Sequence, residues 1–396
     1  MKLVFFCHPP FMRSQSMPRF ARMIGTAMQA KGHEVDYWAP QAHAHTLLEK
    51  TRLAKWAGYV DQYLFFPLQV KLRLWRREPG TLYVFCDQAL GPWVPLVKHL
   101  PHVVHAHDLL ALRSALGLIP QNPTSLTGRL YQRYIRWGFQ QARHFICVSE
   151  RTRSDLMSHG QARALSSSVV YNGLNHPYRP VPRTQAIARL ERAGLSGSAK
   201  GMILHVGGGQ WYKNTVGILR LYACYAARHT EPLPLWMVSP HPSSAETLAA
   251  LAQVPPQGRV YFYQGIDNAA LEAAYSLANA FLFPSLAEGF GWPIVEAQAC
   301  GCPVITTNDA PMNEIAGPDA TYLPLLKAGD DVQAWAQRGA TSLEAVLTTA
   351  ARDKSEQRRQ QRMAWAAQFT TQAAIERYLS IYQSVLAAES RVHATA

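Results

Sequence analysis

The sequence predicts an α/β protein of two Rossmann-like, doubly wound parallel-sheet domains. Three observations carry this expectation. Short, apolar runs alternate with helical patterns through both halves of the chain. A proline-rich break, His176-Pro-Tyr-Arg-Pro-Val-Pro-Arg183, separates the halves, and the pattern restarts beyond it. The length of 396 residues suits two domains, and an apolar content of 48% is enough to fill their cores.

In the first half, Lys2–Cys7, Val35–Trp38, Thr81–Cys86, His102–His107 and His144–Val148 read as strands. Between the first two, Phe20–Lys31 has apolar residues at helical spacing and ends at Gly32. In the second half the strands are Met202–Val206, Leu235–Val238, Val260–Tyr263, Ala280–Pro284 and Pro303–Thr307. A last helical stretch runs from Ser355 to about Ala388 and carries Trp365, Phe369, Tyr378 and Tyr382. Domains are expected at 1–178 and 179–374, with a cleft facing the carboxyl ends of the strands.

With 39 Lys and Arg against 26 Asp and Glu, the net charge is +13 and the pI about 9.6. This favours an anionic partner, but no nucleic-acid motif accompanies the charge. Six cysteines form no C-x-x-C pair, and most lie in apolar runs, as reduced thiols in a cytosolic protein would. The opening residues resemble a first strand rather than a signal peptide. No apolar run approaches the roughly 20 residues that span a bilayer, so any membrane contact is expected to be peripheral.

The chemistry concentrates in four places. Glu288-Gly-Phe-Gly-Trp-Pro-Ile-Val-Glu296 follows an apolar strand and opens a helix, with Pro293 in its first turn. Glycines before a helix leave N–H groups for an anion, and a carboxylate stands at each end. Such a cradle suits a nucleotide sugar, which has hydroxyls on both sides of a diphosphate. His205-Val-Gly-Gly-Gly-Gln-Trp-Tyr-Lys213 is a second glycine-rich turn with a cation; its spacing fits neither a Walker loop nor the dinucleotide fingerprint. His105-Ala-His107-Asp108 closes a strand at its carboxyl end; a zinc reading lacks a third ligand. Asn172-Gly173, read alone, is a turn.

Together these pieces resemble family four of the retaining glycosyltransferases, whose GT-B fold has two Rossmann-like domains. Glu288 to Glu296, preceded by Phe283-Pro-Ser and followed by Gly301-Cys-Pro-Val-Ile305, looks like the family's E-x7-E signature. Gly32-His-Glu-Val35, His107-Asp108-Leu109, Cys147-Val-Ser-Glu150, Asn172-Gly173, Val206-Gly207 with Lys213-Asn214, and Leu271–Tyr275 with Ala278 fall in the family's order. The final segment resembles its C-terminal helix, about 375–396, which crosses back onto the first domain.

The resemblance implies roles. Glu296 would hold the donor ribose, and Glu288 would contact the transferred sugar. Backbone groups around Phe290, Gly291 and Trp292 would bind the diphosphate and sugar. Lys213 would neutralise the leaving diphosphate, beside Gly207, and His107 would face the sugar from the first domain. Two departures stand out. Where members often carry Arg after Val-Gly, this chain has Gly208, which shifts the burden to Lys213 with help from Gln210. The first loop is Pro9-Pro-Phe-Met-Arg-Ser-Gln-Ser-Met-Pro18 instead of Gly-Gly, so Arg13 and Arg19 are the candidates for an acceptor phosphate.

No Asp-x-Asp pair is present to hold a metal ion, and no other cofactor is expected. The family implies front-face transfer with retention; the donor is expected to be GDP-mannose or a UDP-sugar, and the +13 charge with the basic aromatic segments below suggests a glycan or polyprenyl-diphosphate-linked acceptor in bacterial polysaccharide or lipopolysaccharide assembly. Residues 50–77 set Trp56, Tyr59, Val60, Tyr63 and Leu64, then Leu68, Leu72 and Trp75, among seven Lys and Arg. Arg129–Trp137 is similar. A cationic helix with an aromatic face suits an anionic membrane interface, here the inner face of the cytoplasmic membrane; the other reading is that the stripes are core. The alternatives in function are a nucleotide-sugar epimerase or phosphorylase on the same fold, or a non-catalytic docking protein.

Overall fold

The computed structural model describes residues 1–12, 16–161, 163–195, 201–350 and 355–395. The chain divides into two compact units. One comprises Met1–Ile119, Pro123–Tyr171 and Gln372–Ala396; the other comprises Pro120–Asn122 and Asn172–Thr371. Each holds one six-stranded sheet.

In the first unit the strands are β1 (Lys2–Phe6), β2 (Glu34–Trp38), β3 (Thr81–Phe85), β4 (His102–Ala106), β5 (His144–Cys147) and β6 (Ser166–Val169), in the order β2-β1-β3-β4-β5-β6. In the second they are β7 (Met202–Val206), β8 (Leu235–Val238), β9 (Val260–Tyr263), β10 (Ala278–Phe283), β11 (Val304–Thr307) and β12 (Thr321–Leu323), in the order β12-β11-β10-β7-β8-β9. All pairings are parallel. The inner strands β3, β4 and β5 are buried along their whole length, as helices on both faces of a parallel sheet require. That burial is why they read as largely apolar runs, their few polar residues, Thr81, His102, His105 and His144, being buried too. The strands that the sequence did not announce, β6 and β12, are edges. The first reads Ser-Ser-Ser-Val and the second has three residues; an edge pairs on one side and needs no apolar run.

The strand order reverses once in each sheet, between β1 and β3 and between β7 and β10. At such a reversal the connections leave in opposite directions and open a crevice at the carboxyl ends.

The first sheet is packed on both faces. Phe6, Phe66, Phe85, Trp93 and Phe139 fill one side. Phe5, Phe20, Val84, Tyr378 and Tyr382 fill the other, the two tyrosines coming from the last helix. Tyr382 also reaches His105 Nε2 at 2.8 Å. Burying each such ring contributes roughly 1.5–3 kcal/mol, which fastens the end of the chain to the first unit. The expected single helical stretch is two helices, Ser355–Ala366 and Thr371–Thr395. The break lies at Phe369, whose carbonyl accepts the Leu174 N–H at 3.1 Å and whose ring packs on Phe290 and Trp365.

The basic aromatic segment forms the helices Ala54–Val60 and Phe66–Leu74, joined by one wide turn, Asp61–Phe65, just before Pro67. Its inner side buries Ala57, Gln62, Phe66, Val70 and the Asp61 carboxylate, which accepts the N–H groups of Ala44 and His45 at 2.8 Å each. Its outer side exposes Trp56 (65%), Leu64, Leu68, Leu72 and Trp75 (85%).

Candidate functional site

The loops at the β7/β10 reversal contain both glycine-rich segments. After β7, the Gly207 N–H donates to Val238 O at 3.0 Å, which prolongs the pairing with β8. A Cβ on Gly207 would lie 2.6 Å from His205 Nε2, so no larger residue fits. Gly208 and Gly209 are exposed, and Gly209 takes a φ of +77°. Gln210 is exposed at the tip, beside Gly208. The chain then turns through Trp211–Lys213 to Asn214, the one non-glycine residue with positive φ (+56°) among the described residues. Asn214 accepts the Gly217 N–H at 3.2 Å, capping the helix Thr215–Ala227, and donates to Pro284 O at 3.0 Å. One side chain thus fixes the loop after β7 to the end of β10.

This fastening brings Lys213 to Glu288. Nζ lies 2.7 Å from Oε1, both side chains are largely buried, and Nζ stands 4.7 Å over the Phe283 ring. The loop after β10 ends at Gly291, whose φ of +101° starts the helix Trp292–Ala299. Pro293 stands in the first turn, and the positive end of the helix dipole faces back along this loop. Phe290 is buried against Trp292 and Phe369, and the Trp292 indole donates to Gly173 O at 3.2 Å. Both rings are therefore structural, and what these residues offer a ligand is backbone.

Glu296 sits one turn into the helix and is buried. Its Oε2 accepts the Tyr275 hydroxyl at 2.9 Å. Burial raises its carboxyl from the usual 4.5 to about 7; the Tyr275 hydroxyl and the Lys213 charge offset part of that rise. Two further polar atoms nearby are buried without a partner, His205 Nε2 and Ser285 Oγ. His205 donates from Nδ1 to Leu282 O at 2.8 Å, and burial lowers its pKa to about 4, so the ring is neutral and Nε2 is an acceptor. Lys213, Glu288, Glu296 and the glycine loops thus share one crevice of the second unit. It has backbone donors and a cation for an anion, and carboxylates for hydroxyls.

His107 belongs to the first unit, just past β4. Its Nε2–H donates to Cys86 O at 2.8 Å, its backbone N–H reaches Gln88 Oε1 at 2.9 Å, and its ring stands edge-on to Phe20. Burial lowers its pKa, so it is neutral with Nδ1 left as an acceptor. Arg19 is an exposed residue of the helix Ser16–Ala30. Arg13 lies outside the described residues. Among the described residues no three His, Cys, Asp or Glu side chains converge as a metal set would.

Sequence reasoning missed Tyr275, which helical spacing presents as one more core residue, and the orphaned His205 and Ser285. Asn214 could have been found, because Asn before an apolar helical run is a helix-start signal.

Two family models match. "Glycosyltransferase Family 4" covers residues 17–176 and "Glycosyl transferases group 1" covers residues 189–346, between them most of the chain. The O-antigen chain mannosyltransferase B of Escherichia coli is 24% identical over 228 residues, covering 55% of this chain and 57% of that protein. The O-antigen chain mannosyltransferase RfbU of Salmonella typhimurium is 23% identical over 215 residues, covering 54% and 55%. The matches thus span about half the length of these relatives. Among solved structures, sucrose-phosphate synthase from Thermosynechococcus elongatus superposes with a TM-score of 0.70 at 18% identity, covering 98% of this chain and 100% of that one. Anabaena HepE, in complex with UDP and glucose, gives 0.66 at 16%, covering 97% and 100%. The fold is GT-B, and the chain belongs to the family 4, group 1 glycosyltransferases.

Proposed function

We propose that the protein is a retaining glycosyltransferase that moves a hexose from a nucleotide-diphosphate sugar to a glycan or lipid-linked acceptor during assembly of a bacterial surface polysaccharide. The observation that carries this reading is the Lys213–Glu288 pair at 2.7 Å in the β7/β10 crevice, flanked by two glycine loops and the buried Glu296. The names of the mannosyltransferase relatives favour mannose, and hence GDP-mannose, over a UDP-sugar.

In this mechanism the diphosphate lies on the backbone of Gly208–Gly209 and the start of the helix Trp292–Ala299, the Gly207 N–H being held by Val238 O. Lys213 turns from Glu288 to the diphosphate and carries the charge that grows as the bond from the sugar's anomeric carbon to phosphate breaks. Glu288, released, accepts from the sugar's hydroxyls, while Glu296 accepts from the ribose. The acceptor oxygen attacks on the face that the phosphate leaves, and its proton passes to the departing phosphate oxygen. His107 binds a sugar hydroxyl. We propose that no metal or cofactor takes part.

Thermal unfolding with GDP, UDP and ADP tests donor binding, since a ligand of the native state raises the midpoint. Release of nucleoside diphosphate from the matching sugar should fall about 10²–10³-fold in Lys213→Ala and Glu288→Gln. Release that survives both substitutions unchanged would remove this assignment. An inverted anomeric configuration in the product would sink retention.

The same reading includes docking on an anionic bilayer, peripheral at the inner face of the cytoplasmic membrane. No helix of the described residues is long and apolar enough to cross a membrane. The support is the exposed face of the basic segment, together with Leu126, Leu130, Tyr134 and Trp137 on the helix Leu126–Phe139. The two segments meet through Tyr63 and Tyr131, whose hydroxyls are 2.6 Å apart. Aliphatic and aromatic side chains among Lys and Arg are the composition of an interfacial surface. Flotation with vesicles containing anionic lipid, lost in Trp56→Glu/Leu68→Glu/Trp75→Glu, tests it. Equal recovery of variant and wild type would count against docking.

A further inference from the structure

The first sheet has its own strand-order reversal, between β1 and β3. The residues that leave those two strands are not glycine-rich. Cys7 and His8 follow β1, and Cys86 and Asp87 follow β3. His8 Nε2 lies 2.9 Å from Asp87 Oδ2, and each side chain is mostly but not wholly buried. The second Asp87 oxygen, Oδ1, accepts the Ala89 N–H at 2.9 Å, which fixes the carboxylate. Burial pushes the Asp87 carboxyl upward, but the His8 hydrogen bond and charge outweigh it and hold the group below its usual range. With Asp87 ionised, the His8 proton facing it is on Nε2. That leaves Nδ1 as the uncommitted nitrogen of the ring.

His107, past the neighbouring strand β4, is close enough to Asp87 for that charge to act on its ring. It is oriented in the same sense, with Nε2–H tied down by Cys86 O and Nδ1 left. The Cys7 and Cys86 thiols beneath are 3.9 Å apart and buried. The crevice edge therefore combines two imidazoles, each with one nitrogen anchored, and a carboxylate that anchors one of them. This arrangement provides hydrogen-bond acceptors and no phosphate cradle. Its ligand is a hydroxyl-bearing one.

We infer that the His8–Asp87 pair binds a hydroxyl of the glycan acceptor. His8 Nδ1 accepts the hydroxyl's hydrogen, and Asp87 is a positioning residue that fixes the ring's tautomer. No proton is transferred to His8; the hydrogen bond orients the acceptor. The inference rests on the proposed glycosyl transfer for the identity of the ligand, and on the β1/β3 crevice alone for the pair itself.

The test uses full-length protein with 15N-labelled histidine, methyl α-mannoside, methyl α-glucoside and methyl α-N-acetylglucosaminide as probes, and GDP-mannose and UDP-glucose as donors. The neutral His8 ring should carry its proton on Nε2, and at least one glycoside should shift its Nδ1 resonance. Asp87→Asn should move the proton to Nδ1, because the amide donates where the carboxylate accepted. His8→Ala and Asp87→Asn should raise the acceptor KM and lower acceptor kcat/KM about 2- to 10-fold, the scale of one lost neutral hydrogen bond. Nucleoside diphosphate affinity should be unchanged in both variants. An Nδ1–H or doubly protonated ring in the wild type, a His8 signal indifferent to all three glycosides, or variants with wild-type acceptor kinetics would overturn the inference. A wild type whose His8 responds to a glycoside but which releases no nucleoside diphosphate from either donor would instead overturn the proposed function.

Discussion

Replacing Glu296 with glutamine should flatten the pH dependence of the second unit's stability. The carboxyl is buried beside the Tyr275 hydroxyl and keeps its proton to about pH 7 instead of the usual 4.5. The folded state therefore holds a proton that the unfolded chain has released. The stabilisation this gives is complete below about pH 4.5 and disappears as pH rises through about 7. Between pH 5 and 8 the wild type should lose about 2–3 kcal/mol from this group. Glutamine has no proton to lose, and its carbonyl can still accept from Tyr275. For a unit of this size that difference is about 5–10 °C in unfolding temperature. Scanning calorimetry of both proteins at pH 5, 6, 7 and 8 measures it, and the other titrating groups cancel in the comparison. Parallel curves for wild type and Glu296→Gln would refute the reasoning.

Lys213→Ala should destabilise the protein by about 3–5 kcal/mol, because it leaves the Glu288 carboxylate buried and unpaired. Lys213→Ala/Glu288→Gln should recover most of that in urea melts without restoring turnover, and a double variant no more stable than the single one would contradict the pairing. Donor binding near pH 6.5 should release protons as ribose hydroxyls draw Glu296 into its ionised form. Titration calorimetry in phosphate and in Tris would give different heats, and identical heats would argue against Glu296 as the ribose ligand. Gly138→Ala should cost about 1–3 kcal/mol, since its Cβ would lie 2.2 Å from Gly91 O and force the helix Leu126–Phe139 away. An unchanged urea midpoint would disprove that close approach.

What the sequence revealed follows from burial. Strands such as β3, β4, β7 and β8 are covered on both faces, so their apolar runs bounded them to within a residue or so. The edge strands β6 and β12 gave no such signal. The final helical stretch kept its pattern across Phe369, because the break there is set by Leu174, nearly two hundred residues away in sequence. In the site, Glu288, Glu296 and Lys213 could be picked out by spacing, whereas the Lys213–Glu288 contact depends on Asn214 crossing to Pro284. The Tyr275–Glu296 contact joins two helices, and the His8–Asp87 pair joins the ends of two strands distant in sequence; both are tertiary relations that spacing alone does not show. The stripe around Trp56 was ambiguous because a helical stripe looks the same whether it faces core or solvent; the structure divides it, exposing Trp56, Val60 and Leu64 and packing Tyr59 and Tyr63 on Tyr131.

The two strand-order reversals are furnished differently, glycine loops and a lysine–glutamate pair at β7/β10, imidazoles and a carboxylate at β1/β3. A change of taste at one need not disturb the other. Under the proposed donor and acceptor roles, a lineage built this way keeps its donor while its loops after β1 and β3 drift toward new sugars. Grafting residues 8–19 and 86–89 from a relative onto this chain would be the direct trial of that modularity.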